Sequence, residues 1–180
     1  YFAKAHALRR RAVPTWGVFL NEEEQGGGPL IDIGTHALDL TLWMMDNYEV
    51  ESVTGQTFRK LADQTNQGNA FAWALNTLEV DEAKTSLCGT KAGADMKDGL
   101  RINYIHHNKQ VVEKPALSGE GVAFFSGEEK PAGDYEQELF YHIVADGAEQ
   151  IVKPAQAAVV TRVLEAIYES AKSGKTIYFD

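Results

Sequence analysis

The chain has 180 residues, 44% hydrophobic and 24% charged, with a formal net charge of -9 and one cysteine, Cys88. This composition fits one globular domain large enough to bury a core; it excludes an internal disulfide, suits a reducing cytoplasm, and disfavours nucleic-acid binding, which draws on clustered Lys and Arg. No apolar run approaches the ~20 residues that span a bilayer, and no signal-peptide pattern opens the chain, so no membrane partner is expected.

Tyr1 to Ala12 is expected to be a helix, with Phe2, Ala5 and Leu8 in apolar spacing and Arg9-Arg10-Arg11 near its end, where positive charge complements the dipole. The arginine triplet is either a solvated helix terminus or a reach into a cleft. Val13-Pro14 breaks the pattern, and Trp16 to Leu20 reads as a short strand or extended lead-in. A start inside an apparent helix, without an initiator methionine, suggests a piece of a longer protein.

Gln25 to Trp43 joins a triple glycine, a proline and a helix that carries acids and a histidine. Gly26, Gly27 and Gly28 allow positive φ and the close approach of a ligand. Pro29 suits a first helical position, where its missing N–H has no intrahelical partner. On a helix from Pro29, Asp32, His36, Asp39 and Trp43 fall along one stripe. Leu38, Leu42 and Met45 read as core on another face, and core is the more natural place for Trp43 too. A carboxylate one turn from an imidazole can accept its N–H and leave the other ring nitrogen for proton transfer. The same spacing describes an ordinary helix-surface contact, and spacing alone does not choose.

Asp46-Asn47 ends this helix, and Val50 to Arg59 alternates as a strand. Leu61 to Asn69 is loop-like, Thr85 to Thr90 a short strand, and Gly89 to Ala94 a tight turn. Neither G-x-x-x-x-G-K-[ST] nor G-x-G-x-x-G occurs, so no dinucleotide cradle is encoded. Leu100 to Tyr104 and Gln110 to Glu113 form a hairpin around His106-His107-Asn108-Lys109. Adjacent histidines on a strand face opposite sides, and one cysteine with scattered histidines does not make a zinc set, so no metal is expected.

Gly119 to Lys130 is loop, and Asp134 caps a helix to about Asp146, with Gln137 three residues on and Gly147 as its stop. Leu139, Phe140, Ile143 and Val144 are its expected buried face, with Tyr141 and His142 beside it. Pro154 opens a last helix whose apolar stripe runs from Val159 through Val163, Leu164 and Tyr168 to Ala171; Gly174 ends it and Lys175 to Phe179 is a final strand.

Gly26-Gly27-Gly28-Pro29-Leu30-Ile31-Asp32-Ile33-Gly34-Thr35-His36-Ala37-Leu38-Asp39-Leu40 resembles the signature that opens the C-terminal domain of the Gfo/Idh/MocA oxidoreductases, named for glucose–fructose oxidoreductase and inositol dehydrogenase. Gly89-Thr90-Lys91-Ala92-Gly93 and Leu164 to Ala171 resemble later segments of that domain more weakly. The resemblance implies an α+β fold: a largely antiparallel open sheet with helices packed on one face and the other face free for pairing with a second copy. Residues 1–180 would be the C-terminal substrate and dimerisation domain, with the N-terminal Rossmann domain absent from this chain. Trp73-Ala74-Leu75 resembles the end of a family segment whose preceding hairpin is missing near 66–74, either by deletion or because the numbering closes over absent residues. The family's catalytic lysine lies in a Glu-Lys-Pro motif of the Rossmann domain; Glu113-Lys114-Pro115 falls in the β domain and is a coincidence.

The implied chemistry is hydride transfer between NAD or NADP, bound mainly by the absent domain, and a secondary hydroxyl of a sugar, polyol or related compound. By the resemblance His36 carries the hydroxyl proton, and Asp32 orients it or binds substrate. Gly27 and Gly28 lie near the nicotinamide, and Arg11, Trp16, Thr35 and Asp39 contact substrate. A homodimer or homotetramer in the cytoplasm is expected, inactive as the isolated domain. Two alternatives stand beside it: a non-catalytic sugar-binding or dimerisation module on the same fold, and a metal-dependent hydrolase built on Asp32, His36 and Asp39.

Overall fold

A computed structural model of the chain describes residues 1–8, 17–19, 21–58, 82–96, 99–115 and 132–179. The loops expected at Leu61 to Asn69 and Gly119 to Lys130, the closure near 66–74, and Arg11 and Trp16 lie outside these residues.

The opening segment is a strand, not a helix: β1, Phe2–Leu8, pairs antiparallel with β3, Glu82–Cys88, from Phe2↔Cys88 to Leu8↔Glu82. The spacing of Phe2, Ala5 and Leu8 fits a helix, but Ala3, Ala5 and Ala7 also alternate with bulkier residues at period two. A segment this short gains little as an isolated helix, whereas a ladder partner satisfies its backbone groups along its length. The lead-in expected over Trp16 to Leu20 likewise differs, because its described part, Gly17–Phe19, is a turn with Gly17 at φ 56°.

β4 (Ala92–Asp95), β5 (Arg101–His106) and β6 (Lys109–Glu113) complete a five-stranded antiparallel sheet in the order β1-β3-β4-β5-β6. The expected hairpin forms between β5 and β6. His107 and Asn108 take φ 47° and 59°, the doubly positive geometry that matches strand twist in a two-residue turn. His107 therefore leaves the strand, and its ring meets that of His106 edge-on at 4.1 Å.

The register places Ala5, Thr85, Leu87, Ala94, Ile102 and Tyr104 on one face, with Thr85 buried, and α2 (Ile33–Met45) packs over this face at β1 and β3. Lys4, Ser86, Asp95 and Arg101 share a row on the other face. There the Arg101 guanidinium Nη2 lies 2.9 Å from Asp95 Oδ1, while Ile105 and Val112 stand exposed toward the β6 edge. This second face is thus mixed rather than unusually apolar.

α2 begins later than its proline suggests. A short helix α1 (Glu22–Gln25) and a 3₁₀ turn (Gly28–Leu30) take up the glycines and Pro29, and Asp32 becomes the N-cap of α2. The expected stop is present: Asp46 is left-handed at φ 48° and its N–H returns to Leu42 and Trp43 carbonyls. Leu38 and Leu42 are half-buried, but Met45 and Trp43 are 37% and 46% exposed, so the core reading of those two is corrected.

The strand expected over Val50 to Arg59 shrinks to β2, Ser52–Val53, because its ladder partner β7 is only Ile177–Tyr178. Helix α3 spans Ala132–Asp146, so Asp134 sits inside the first turn, where its charge suits the dipole, rather than at the cap. Its expected buried face is only partly covered: Leu139 and Ile143 are half-buried, but Phe140 is 67% and Val144 71% exposed. Apolar periodicity announces that a helix has such a face, not what covers it. His142 and Tyr141, expected to pack, are exposed too; His142 Nδ1 lies 2.5 Å from Asp146 Oδ2, one turn on.

Helix α4, Pro154–Ser173, carries the core. Val160, Val163, Leu164 and Ala166 are its buried apolar side chains, and Gly174 at φ 69° closes it, as the sequence indicates. Ser170, 1% exposed, fastens three segments: its Oγ donates to the Lys175 carbonyl (2.6 Å) and accepts the Gly55 N–H (3.0 Å). A Cβ at Gly55 would lie 2.6 Å from the Ile167 carbonyl oxygen, so the exit of β2 runs directly against α4. Ser170→Ala strands both backbone groups and is expected to cost about 1–3 kcal/mol in chemical denaturation. An unchanged midpoint would show that neither bond contributes.

Candidate active site

The site is built from a glycine turn held on two sides. Gly26 and Gly28 require glycine because their φ values are 84° and 70°, and nothing lies within 4 Å of where a Cβ would stand. Gly27 requires it for another reason: a Cβ there would enter the Tyr168 side chain, 2.8 Å from Cζ and closer still to the hydroxyl. From within the turn, Gln25 Oε1 accepts the N–H groups of Gly27 (3.1 Å) and Gly28, and Gln25 Nε2 donates to the Gly28 carbonyl (3.1 Å). From outside, Tyr168 of α4 donates its hydroxyl to the Gly27 carbonyl. Sequence reasoning missed both partners. Tyr168 was absorbed into the apolar stripe of α4, where the clue was the polar tip that a half-buried tyrosine must satisfy.

Burial raises the Tyr168 phenol above its usual value, and the Ile31 backbone amide pulls more weakly the other way. The folded chain therefore holds this proton to higher pH than the unfolded chain does. The stabilisation is complete below the unfolded value of about 10 and is lost as pH rises through the higher folded value. The melting temperature of the parent should fall more steeply above about pH 10 than that of Tyr168→Phe. Parallel curves would contradict this.

The turn delivers the chain to the first turn of α2. Asp32 is exposed at the N-cap with its carboxylate making no capping bond, and His36, one helical turn on, is exposed as well. The structure puts the two on one end of one helix, with no hydrogen bond between the carboxylate and the imidazole. Thr35 spends its hydroxyl proton on the Ile31 carbonyl (2.7 Å), which leaves only lone pairs for another partner. Asp39 is half-buried, and its charge is felt at Tyr48. Burial raises the Tyr48 phenol, and the Asp39 and Asp46 carboxylates push it the same way. The Tyr48 hydroxyl oxygen is itself buried without a hydrogen-bond partner.

Among the described residues no three His, Cys, Asp or Glu side chains gather as a metal-binding group, which removes support from a hydrolase centre on Asp32, His36 and Asp39. A cavity of about 510 Å³ lies between Tyr48, Glu51, Arg162 and Phe179, and one of about 370 Å³ lies between Met44 and Met45 of α2 and the sheet at Leu87 and Ile102. Neither is lined by Asp32 or His36, both of which are exposed. Among the described residues no helix is long and apolar enough to cross a membrane.

Comparison with known proteins bears on the family and the fold. D-glucoside 3-dehydrogenase of Escherichia coli (strain K12) is 29% identical over 206 residues, covering 98% of this chain and 56% of the relative. Levoglucosan dehydrogenase, solved in complex with NADH and L-sorbose, matches with a TM-score of 0.66 at 15% identity, over 99% of this chain and 57% of its own. Aldose-aldose oxidoreductase from Caulobacter crescentus, complexed with glycerol, gives 0.65 at 17% identity, over 91% and 51%. The chain spans about half the length of the relatives it matches, and at these identities the structural likeness speaks for the fold. The family description "GFO/IDH/MocA C-terminal domain" matches residues 1–96, which include the glycine turn and all of α2. The chain therefore belongs to the GFO/IDH/MocA family and carries its C-terminal domain.

Proposed function

We propose that this chain is the substrate-side part of an NAD- or NADP-dependent oxidoreductase acting on a secondary hydroxyl of a sugar, polyol or related hydroxy compound. One observation carries the reading: a glycine turn fixed by Gln25 and Tyr168 leads directly to an exposed Asp32 and an exposed His36 on the first turn of α2. The names of the matched relatives, a glucoside dehydrogenase and a levoglucosan dehydrogenase, support the substrate class.

His36 takes the hydroxyl proton as the carbinol C–H leaves as hydride, so that alcohol becomes ketone; in reverse it returns the proton. A bound nicotinamide accepts or supplies that hydride. Asp32 hydrogen-bonds a neighbouring hydroxyl or orients the imidazole when substrate arrives, since its carboxylate is not committed to a cap. The residues fit a flat ring at Gly28, whose missing side chain leaves open space; the corresponding side of Gly27 is filled by Tyr168. Thr35 can accept a hydrogen bond from a sugar hydroxyl, and Arg11 and Trp16, outside the described residues, keep the substrate role that the family resemblance implies. Asp39, farther along α2, is in this reading a further substrate contact.

The second sheet face, which carries the exposed Ile105 and Val112 and the Asp95–Arg101 pair, is assigned to pairing two copies into a homodimer or homotetramer, and Cys88 as a free thiol suits the cytoplasm. The test is the full-length protein with NAD and with NADP against a panel of sugars and polyols. Reduction of nicotinamide by at least one sugar or polyol is expected. Saturable sugar binding without any reduction would favour the non-catalytic module instead.

A further inference from the structure

We propose that Tyr168 is a positioning residue: its hydroxyl ties the glycine turn to the buried helix α4 and thereby sets where Asp32 and His36 stand. The proposal rests on the oxidoreductase reading and adds a residue 141 positions away from the turn it controls. Three observations carry it.

First, among the described residues α4 carries all but one of the buried side chains. Val160, Val163, Leu164, Ala166 and Ser170 are buried on it, and Ser170 is bonded at both its donor and its acceptor. Tyr168 lies on the same helix, two residues before Ser170. A hydroxyl fixed there is a fixed point.

Second, the start of α2 has little support of its own. Asp32, the cap of α2, makes no side-chain capping bond, and Gly27, the cap of the 3₁₀ turn, has no side chain to make one. The local bonds come from Gln25, which belongs to the turn and moves with it. Among the described residues Tyr168 is a contact that refers the turn to α4.

Third, the fit is mutual. The Tyr168 ring occupies the volume where any side chain at Gly27 would stand, while the hydroxyl takes the Gly27 carbonyl. The central glycine of the triplet is thus explained by a tyrosine from the far end of the chain.

Two sets of variants test this. Tyr168→Phe keeps the ring and deletes the bond; Gly27→Ala keeps the hydroxyl and displaces it. In the full-length protein, Tyr168→Phe is expected to lower kcat for the sugar about 10- to 100-fold, as a misplacement near 1 Å does, with KM changed by less than about threefold. Hydrogen exchange at the Gly27 and Gly28 amides should rise about fivefold or more, the loss of one net hydrogen bond. Gly27→Ala should give the same pattern, and the double variant should fall short of the product of the two effects. Unchanged exchange in Tyr168→Phe overturns the tether whatever the turnover. Raised exchange with unchanged kcat overturns the positioning role and leaves a purely structural one. A parent protein that binds sugar yet never reduces nicotinamide overturns the oxidoreductase reading itself, and the positioning role with it.

Discussion

His36→Ala in the full-length protein should slow sugar turnover by about 10²-fold or more while leaving the fold and its melting temperature as they were. General acid–base catalysis by a positioned side chain contributes about 10²- to 10⁴-fold, so removal of the proton carrier should be felt at that scale. The structural cost should be small for specific reasons. The imidazole is exposed, and no hydrogen bond holds it to Asp32, so its loss strands no buried group. Exposed substitutions of this kind stay within about 0.5 kcal/mol. Activity and stability therefore separate at this position, which makes the variant decisive. Turnover above about a tenth of the parent would remove His36 as the proton carrier.

Leu164→Ala should produce the largest loss of stability, about 2–5 kcal/mol by chemical denaturation. Leu164 is 7% exposed in the cluster with Val160, Val163 and Ala166, so truncation leaves a cavity as well as losing apolar contact. The same helix presents Tyr168 to the glycine turn and Ser170 to Gly55, so loosening it disturbs the site and the β2–β7 pair together. Phe140→Ala on α3 is the contrast. That ring is larger but 67% exposed, and its removal should cost the isolated domain less than about 1 kcal/mol. Equal losses at the two positions would mean that α3 is covered in solution.

How much of this was legible depended on whether a signal was local. Helix α4 is written twice over, in its apolar stripe and in its boundaries, Pro154 at the start and Gly174 at the end. The β5–β6 hairpin was equally plain, since His107-Asn108 supplies a short polar turn between two apolar runs. β1 was misread because its seven residues satisfy both periodicities, and what decides between them is β3, some eighty residues away. Pro29 pointed to a helix start, correctly in kind, but a 3₁₀ turn used it and α2 began at Ile33. The exposed face of α3 shows the limit of pattern: Phe140 and Val144 mark an apolar side without naming its cover.

The candidate site divides the same way. Three adjacent glycines before Asp32 and His36 were conspicuous, and the family signature gave them roles by resemblance. Gly27 fills its part differently from Gly26 and Gly28, and that distinction depends on Tyr168, which no spacing rule connects to the turn. Asp39 looked equivalent to Asp32 along the helix stripe, but Asp32 is exposed at the N-cap of α2 and Asp39 is half-buried within the helix.

The most direct measurement is the fate of a deuterium at the carbinol carbon of an oxidised sugar, followed in the full-length protein and in His36→Ala. Hydride abstraction beside a proton-accepting imidazole predicts that the label reaches the reduced nicotinamide, and that the variant transfers it at least about 10²-fold more slowly. Transfer at equal rates in the two proteins, or a sugar that retains its label while binding normally, would contradict the assignment.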